Sequence, residues 1–195
     1  MIRPIQAVAA TLLVAGLLSG GQVAHAQSNT AGHRSPANEA KTGFNIPEPL
    51  QIEHDELHAA LVPLTKESGR TGEAAKAVAE VLEPHFVKEN EYALPPLSLL
   101  KPLSEGKFEP YMVEVLKLTD KLEAEMPTML AEHKDIEAAL KELHDAATAE
   151  NNAAGIDFAE HLAAHAQEEE EFMYPTALLI GNYVKLRAAQ SESAQ

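Results

Sequence analysis

The sequence predicts an all-α protein: an up-down-up-down four-helix bundle from two repeated helical hairpins, with a short extra C-terminal helical segment. Apolar residues recur at helical spacing in several long stretches, and the second half of the chain repeats the first half. Hydrophobic residues make up 45% of the chain, aromatic residues only 5%, and there is no Trp. A core built mainly of Leu, Ala, Val and Ile suits packed helices better than sheets.

The repeat is clearest around two histidines. Residues 85–95 read HFVKENEYALP and residues 165–175 read HAQEEEEFMYP. Both segments have a Glu four residues after the His, a second Glu two residues later, then an aromatic residue and finally a Pro. Residues 51–61, QIEHDELHAAL, match residues 130–140, LAEHKDIEAAL, in the same way. One helical hairpin is therefore expected to be present twice.

The first hairpin is predicted from two stretches. Residues 50–67 carry leucines at helical spacing, and the following Ser-Gly-Arg-Thr-Gly sequence predicts a turn. Residues 73–94 form the second stretch, in which Pro84 removes one backbone donor and predicts a bend directly before His85. Pro95 and Pro96 end it.

The second hairpin follows after a short apolar connector. Residues 109–149 have a helical apolar period interrupted at Pro127, which predicts either one kinked helix or two helices. Residues 156–174 form the next helix, and residues 176–189 the extra C-terminal segment. We expect residues 50–189 to be the bundle domain and residues 190–195 to be a frayed tail.

The N-terminal part has the features of an export signal. Arg3 precedes an apolar run over residues 7–18, and Ala24-His25-Ala26 fits the small-x-small rule for cleavage. We expect a signal peptide over residues 1–26, cleaved after Ala26, and a flexible linker over residues 27–49. The mature protein is expected to be periplasmic or secreted, with no membrane association after signal cleavage.

Charge and cysteine content restrict the partners. The formal net charge is −15, which argues against nucleic acid and anionic membranes as partners. The chain has no Cys, so that any metal must be held by imidazole and carboxylate groups. Such ligands favour Fe, Mn or Zn over Cu(I).

Each of the four main helices carries a pair of potential metal ligands four residues apart, which places both on nearly the same face of a helix. A single pair of this kind is usually a solvated contact. Four pairs at matching depths predict a metal site, because burying so many ionisable groups without a cation is costly. A dinuclear site with bridging carboxylates removes that cost. The pairs are His54/His58, His85/Glu89, His133/Glu137 and His165/Glu169.

The order His, His-x-x-x-Glu, His, His-x-x-x-Glu resembles the hemerythrin-like, HHE cation-binding family. The resemblance covers about residues 50–185 and includes the acidic, aromatic and Pro residues that follow both His-x-x-x-Glu motifs. It implies a four-helix bundle around an oxygen-bridged, non-haem diiron centre, in which Glu89 and Glu169 would bridge the irons. The ligands carried over by position are His54, His85, Glu89, His133, His165 and Glu169.

The sequence departs from oxygen-carrying hemerythrins at two places. Glu137 stands where they have a second His, and their last helix has an Asp five residues after the His, where this chain has Glu169 at four and Glu170 at five. Carboxylates favour ferric iron, so reversible oxygen carriage is in doubt. Glu137 is left open as a ligand, and His58 is either a further ligand or a donor to a ligand.

The functional expectation is an exported protein that holds this iron centre and binds O2, NO or peroxide. A diiron enzyme turning over hydrogen peroxide or nitric oxide, and a structural bundle holding Zn or Mn, remain as alternatives. Tyr174 is expected in the core, with a position beside the site as the alternative. Glu53 and Glu132, each directly before a candidate ligand, are expected at the surface unless they contact imidazole N–H groups.

Overall fold

The computed structural model describes residues 43–193, which form helices and connecting turns without any strand. The all-α prediction is thereby confirmed for this part of the chain. The expected signal peptide and the linker up to residue 42 lie outside the described residues. The α-helices are α1 (Glu48–Leu64), α2 (Arg70–Lys88), α3 (Leu100–Ser104), α4 (Leu116–Glu150), α5 (Ala153–Glu168) and α6 (Tyr174–Ser193).

Two π-helical turns occur in the chain, and both follow a candidate ligand pair. The first π turn (Glu89–Ala93) continues α2, and the second π turn (Glu169–Met173) joins α5 to α6. Short 3₁₀ helices cover Pro95–Leu99 and Pro110–Val115. The connector between the first π turn and α4 is therefore mostly helical as well.

The structure differs from the sequence-based expectation in α4, in α6 and at Phe44. Helix α4 runs through Pro127 as one helix of 35 residues, because buried Leu122 and Met129 hold both sides of the proline in the core. Helix α6 is 20 residues long and extends to Ser193, into the tail that was expected to fray. Phe44, within the expected flexible linker, is buried in the core at 4% exposure.

Four helices surround the interior. Helix α1 contacts α2 and α5, and α4 also contacts α2 and α5, which closes a ring of neighbours. Helix α6 packs against α4 beyond this ring. Among residues 43–193 we find no helix that combines the length and the apolar character needed to cross a membrane.

The apolar core consists of two clusters. One contains Leu57, Leu61, Leu82, Ile136 and Leu162, and the other contains residues of α4 and α6, of the first π turn and of the connector that follows it. In α4, His133 stands between Met129 of the second cluster and Ile136 of the first. The core is thus divided by a polar layer, and this layer is the site described next.

Candidate metal centre

Six of the eight predicted ligands lie together in the buried polar layer, and each is at most 4% exposed. They form two groups with potential ligand atoms within 4.8 Å of one another. The first group is His85, Glu89, His133 and Glu169, and the second is His54, His165 and Glu169.

Two carboxylates connect the groups. Glu169 Oε1 lies 3.0 Å from His165 Nε2 and 3.6 Å from His54 Nε2, while its Oε2 lies 3.5 Å from His133 Nε2. Glu89 Oε1 lies 3.2 Å from His85 Nε2, and Glu89 Oε2 lies 3.7 Å from His54 Nε2. Each carboxylate therefore directs one oxygen toward each pair of imidazoles, which is the arrangement of a bridging ligand.

Both carboxylates begin a π turn. Leu94 N–H donates to Glu89 O, and Tyr174 N–H donates to Glu169 O, so that each turn closes five residues after the carboxylate. Up to that point the ordinary α-helical spacing keeps His85 over Glu89 and His165 over Glu169. Widened turns of this kind occur frequently at functional sites.

An outer layer of oxygen atoms faces the other ring nitrogen of all four histidines. Nδ1 of His85 lies 2.9 Å from Glu132 Oε2, and Nδ1 of His133 lies 2.9 Å from Glu170 Oε1. The remaining two pairs are His54 Nδ1 with Asn90 Oδ1 at 3.2 Å and His165 Nδ1 with Glu53 Oε1 at 3.1 Å. The last pair is close but is not aligned as a hydrogen bond. Oxygen partners at Nδ1 leave Nε2 to face the interior, as metal-binding histidines require.

The hydroxyl group of Tyr174 also reaches the site. Its oxygen lies 2.5 Å from Glu89 Oε1, 3.2 Å from His133 Nε2 and 3.4 Å from His85 Nε2. The tyrosine ring stacks on His133 with a centroid distance of 5.6 Å. Unlike the outer carboxylates, Tyr174 contacts the inward-facing nitrogens.

Burial and neighbouring charges shift the pKa values of the histidines and glutamates of this layer in opposing directions. Burial would lower the pKa of His85 and His165, but Glu89 raises the first to about 8 and Glu169 raises the second to about 9. Burial and the negative charge of Glu169 raise the pKa of Glu89. Burial also opposes ionisation of Glu169, but the close imidazoles of His133, His165 and His54 hold its pKa well below the usual range. Two adjacent buried carboxyl groups therefore differ in their affinity for a proton.

Buried polar atoms without a partner point to a cation. Among the described residues, Glu89 Oε2 and Glu169 Oε1 are fully buried side-chain oxygens that accept no hydrogen bond. Such orphaned acceptors cost free energy unless something positive binds them. Both oxygens face the His54–His165 pair, at 3.7 Å and 3.6 Å from His54 Nε2, so their position fits a metal ion on that side of the layer.

The structure does not bring His58 and Glu137 into this layer, because both side chains are exposed. The buried stripe passes from His54 to Leu57 and Leu61 in α1, and from His133 to Ile136 in α4. Four residues rotate a helix about 40° past a full turn, which moves His58 and Glu137 off that stripe. Both residues, which the sequence left open as ligands, therefore lie outside the buried layer.

Five contact residues were not among the predicted ligands. Four of them had a signal in the repeat: Glu53 and Glu132 each precede a histidine, and Asn90 and Glu170 each follow a bridging carboxylate. Tyr174 had none, since the matching position in the first hairpin is Leu94.

Fold and site together define an all-helical protein with a buried layer of histidines and glutamates that could hold metal. Comparison of the chain with models of protein families, with curated proteins and with solved structures found no match.

Proposed function

We propose that this chain is an exported metal-binding protein that holds a dinuclear iron centre in a hemerythrin-like, up-down-up-down bundle. One iron would be held by His85, His133 and Glu89, and the other by His54, His165 and Glu169. When bound, such a pair of irons supplies open coordination positions and electrons for small molecules such as O2, NO or peroxide.

The observation that carries this proposal is the pair of buried carboxylates shared between two imidazole pairs. Each of Glu89 and Glu169 has one oxygen toward each side, and each has one oxygen without a hydrogen-bond partner. An ordinary buried ion pair would leave no such orphaned oxygens. A cation between His54 and His165 would satisfy both orphaned oxygens, and a second cation would bind the other oxygen of each carboxylate, beside His85 and His133.

Imidazole and carboxylate ligands also suit Mn and Zn, so the test compares metals. The purified mature protein is stripped with a chelator, loaded separately with Fe²⁺ under anaerobic conditions, Mn²⁺ and Zn²⁺, and analysed for metal content. We expect two metal ions per chain and the highest retention for iron after exposure to air. One ion or none per chain would contradict a dinuclear centre, and preferential retention of Zn or Mn would contradict the assignment of iron.

The ligand assignment is tested with near-isosteric and truncating variants. His85→Ala and His165→Ala should each lower metal content below two ions per chain, and so should Glu169→Gln. His144→Ala is the matched control, because His144 is only half-buried and lies outside the layer. Full loading of both histidine variants would refute the assignment.

Turnover of hydrogen peroxide or nitric oxide decides between a binding protein and an enzyme. The loaded protein should bind either molecule with a change in its visible spectrum, without turnover above that of free iron. Sustained turnover that is lost in His85→Ala would establish the enzyme alternative.

A further inference from the structure

The inference concerns Tyr174 and rests on the proposed function. We propose that the phenol oxygen of Tyr174 is itself a metal ligand, and that it binds only the metal held by His85 and His133. The two halves of the repeated site would then hold chemically different metals.

The first argument is the set of atoms that Tyr174 touches. Its hydroxyl oxygen lies 2.5 Å from Glu89 Oε1, 3.2 Å from His133 Nε2 and 3.4 Å from His85 Nε2. These are the three atoms that face the first metal position. A residue that only supports ligands would contact their outer atoms, as Glu132 contacts Nδ1 of His85.

The distances from the Tyr174 hydroxyl oxygen to the two imidazole nitrogens are those expected between ligands of one metal. For metal–ligand bonds of about 2.1 Å, neighbouring ligand atoms lie about 3.0 Å apart in an octahedron and about 3.4 Å apart in a tetrahedron. The two Tyr174–imidazole distances, 3.2 Å and 3.4 Å, fall in this range. The two distances would suit neighbouring ligand atoms of one metal, whereas the 2.5 Å contact with Glu89 Oε1 is a hydrogen bond that metal binding would replace.

The side chain of Tyr174 is held rigidly. Tyr174 is 1% exposed, and its ring stacks on His133 with an interplanar angle of 28°. It is the first residue of α6, directly after the second π turn, so backbone and ring are both fixed. Its oxygen would therefore need to move away from Glu89 Oε1 by only about 0.5 Å to bind a metal at this position.

The two repeats of the site differ at the position of Tyr174. The residue that matches Tyr174 in the first hairpin is Leu94, which is fully buried and cannot ligate. Among residues 43–193, no tyrosine hydroxyl makes a hydrogen bond to His54 or His165, whose ring nitrogens contact Asn90 and each other. A phenolate is a hard, anionic donor, so the His85–His133 side should favour ferric iron more strongly than the other side.

Binding breaks the O–H bond of Tyr174, forms an oxygen–metal bond and releases one proton to solvent. The oxidation state of the metal does not change in this step. Metal loading should therefore release one proton per chain more from the wild type than from Tyr174→Phe.

The test uses Zn²⁺ first, because it has no visible absorption of its own. Loading the metal-free wild type with Zn²⁺ should produce the near-ultraviolet difference spectrum of one tyrosinate per chain. Tyr174→Phe should bind Zn²⁺ without this spectrum and should lose at least tenfold in affinity for one of its two ions. Tyr92→Phe is the matched control, because Tyr92 is also buried but its hydroxyl contacts Met129.

Loading with ferric iron gives an independent spectroscopic readout, because the wild type alone should already show the phenolate signal. Resonance Raman spectra of the ferric wild type should show enhanced phenolate ring modes, which Tyr92→Phe retains. A loaded wild type without tyrosinate signals, or equal signals in Tyr174→Phe, overturns the proposal while leaving the dinuclear centre intact. A wild type that binds no metal overturns the proposed function as well.

Discussion

Nδ1 of His133 donates to Oε1 of Glu170 at 2.9 Å, and Glu170 directly follows Glu169, the carboxylate that lies between the two imidazole pairs. The negative charge of Glu170 makes the imidazole a better donor toward a metal and holds its ring orientation. Glu170→Gln keeps an acceptor but removes the charge, and we expect metal affinity to fall about 10- to 100-fold. Competition with a coloured chelator measures this change.

Glu171→Gln is the control for that comparison, since the exposed Glu171 carboxylate contacts only Gln167 among the described residues. Equal affinities of Glu170→Gln and Glu171→Gln would show that the outer carboxylate does not act on the metal.

The two exposed members of the predicted pairs provide a second prediction. His58→Ala and Glu137→Gln should both retain two metal ions per chain, because neither side chain reaches the polar layer. Their free energies of unfolding should change by no more than about 0.5 kcal/mol, as for other surface substitutions. Loss of one metal ion from either variant would mean that the buried layer does not contain the complete ligand set.

The metal-free protein should lose stability as the pH rises above neutrality. The pKa values of His85 and His165 are raised to about 8 and about 9, above the ordinary value of 6.5 in an unfolded chain. Their contribution is therefore complete below pH 6.5 and is lost as the pH passes through 8 and 9. Each histidine should account for on the order of 2 kcal/mol.

Urea unfolding of the chelator-treated protein between pH 6 and pH 10 checks this loss. Glu169→Gln removes the carboxylate that raises the pKa of His165, so its stability should depend less on pH over the same range. A wild type whose stability rises between pH 7 and pH 9 would contradict the expectation.

Close packing of α6 on α4 gives a prediction remote from the metal. A Cβ atom at Gly181 would clash with Thr119 Oγ1 and would lie 2.7 Å from Thr119 Cβ. Gly181→Ala must displace α6 or the buried Thr119, and we expect a loss of about 1–3 kcal/mol in the free energy of unfolding. The exposed neighbour variant Asn182→Ala should be near neutral, and thermal unfolding of both distinguishes local overpacking from a general effect on the helix.

Much of the site was accessible from the sequence, because the repeat displays the same spacing twice. His85 with Glu89 and His165 with Glu169 could be recognised as equivalent without coordinates. The spacing alone does not separate His58 and Glu137 from the buried ligands, because residues on nearly the same helix face can differ in distance from the core. The buried leucine and isoleucine positions of the same helices would have placed both residues at the edge of the stripe.

Other parts of the structure depend on contacts that local patterns do not contain. Tyr174 approaches His85 and His133 from a different helix, and nothing in its own neighbourhood identifies those partners. The continuity of α4 through Pro127 likewise depends on burial of the residues on either side, which overrides the local preference of proline. Phe44 was assigned to the linker by composition, although it packs into the core.

The two π turns, Glu89–Ala93 and Glu169–Met173, depend more on the number of residues in them than on which residues these are. A π turn holds one residue more than an α turn, so all residues after it are rotated by about 100° around the helix axis. Loss of one residue within 169–173 would carry Tyr174 and the buried side of α6 to another direction, whereas substitution leaves the phase unchanged. The repeats agree with this: Asn90 and Tyr92 are replaced by Glu170 and Phe172, yet the number of residues between histidine and proline is identical. Insertions and deletions, rather than exchanges, are therefore the changes that this pair of turns excludes.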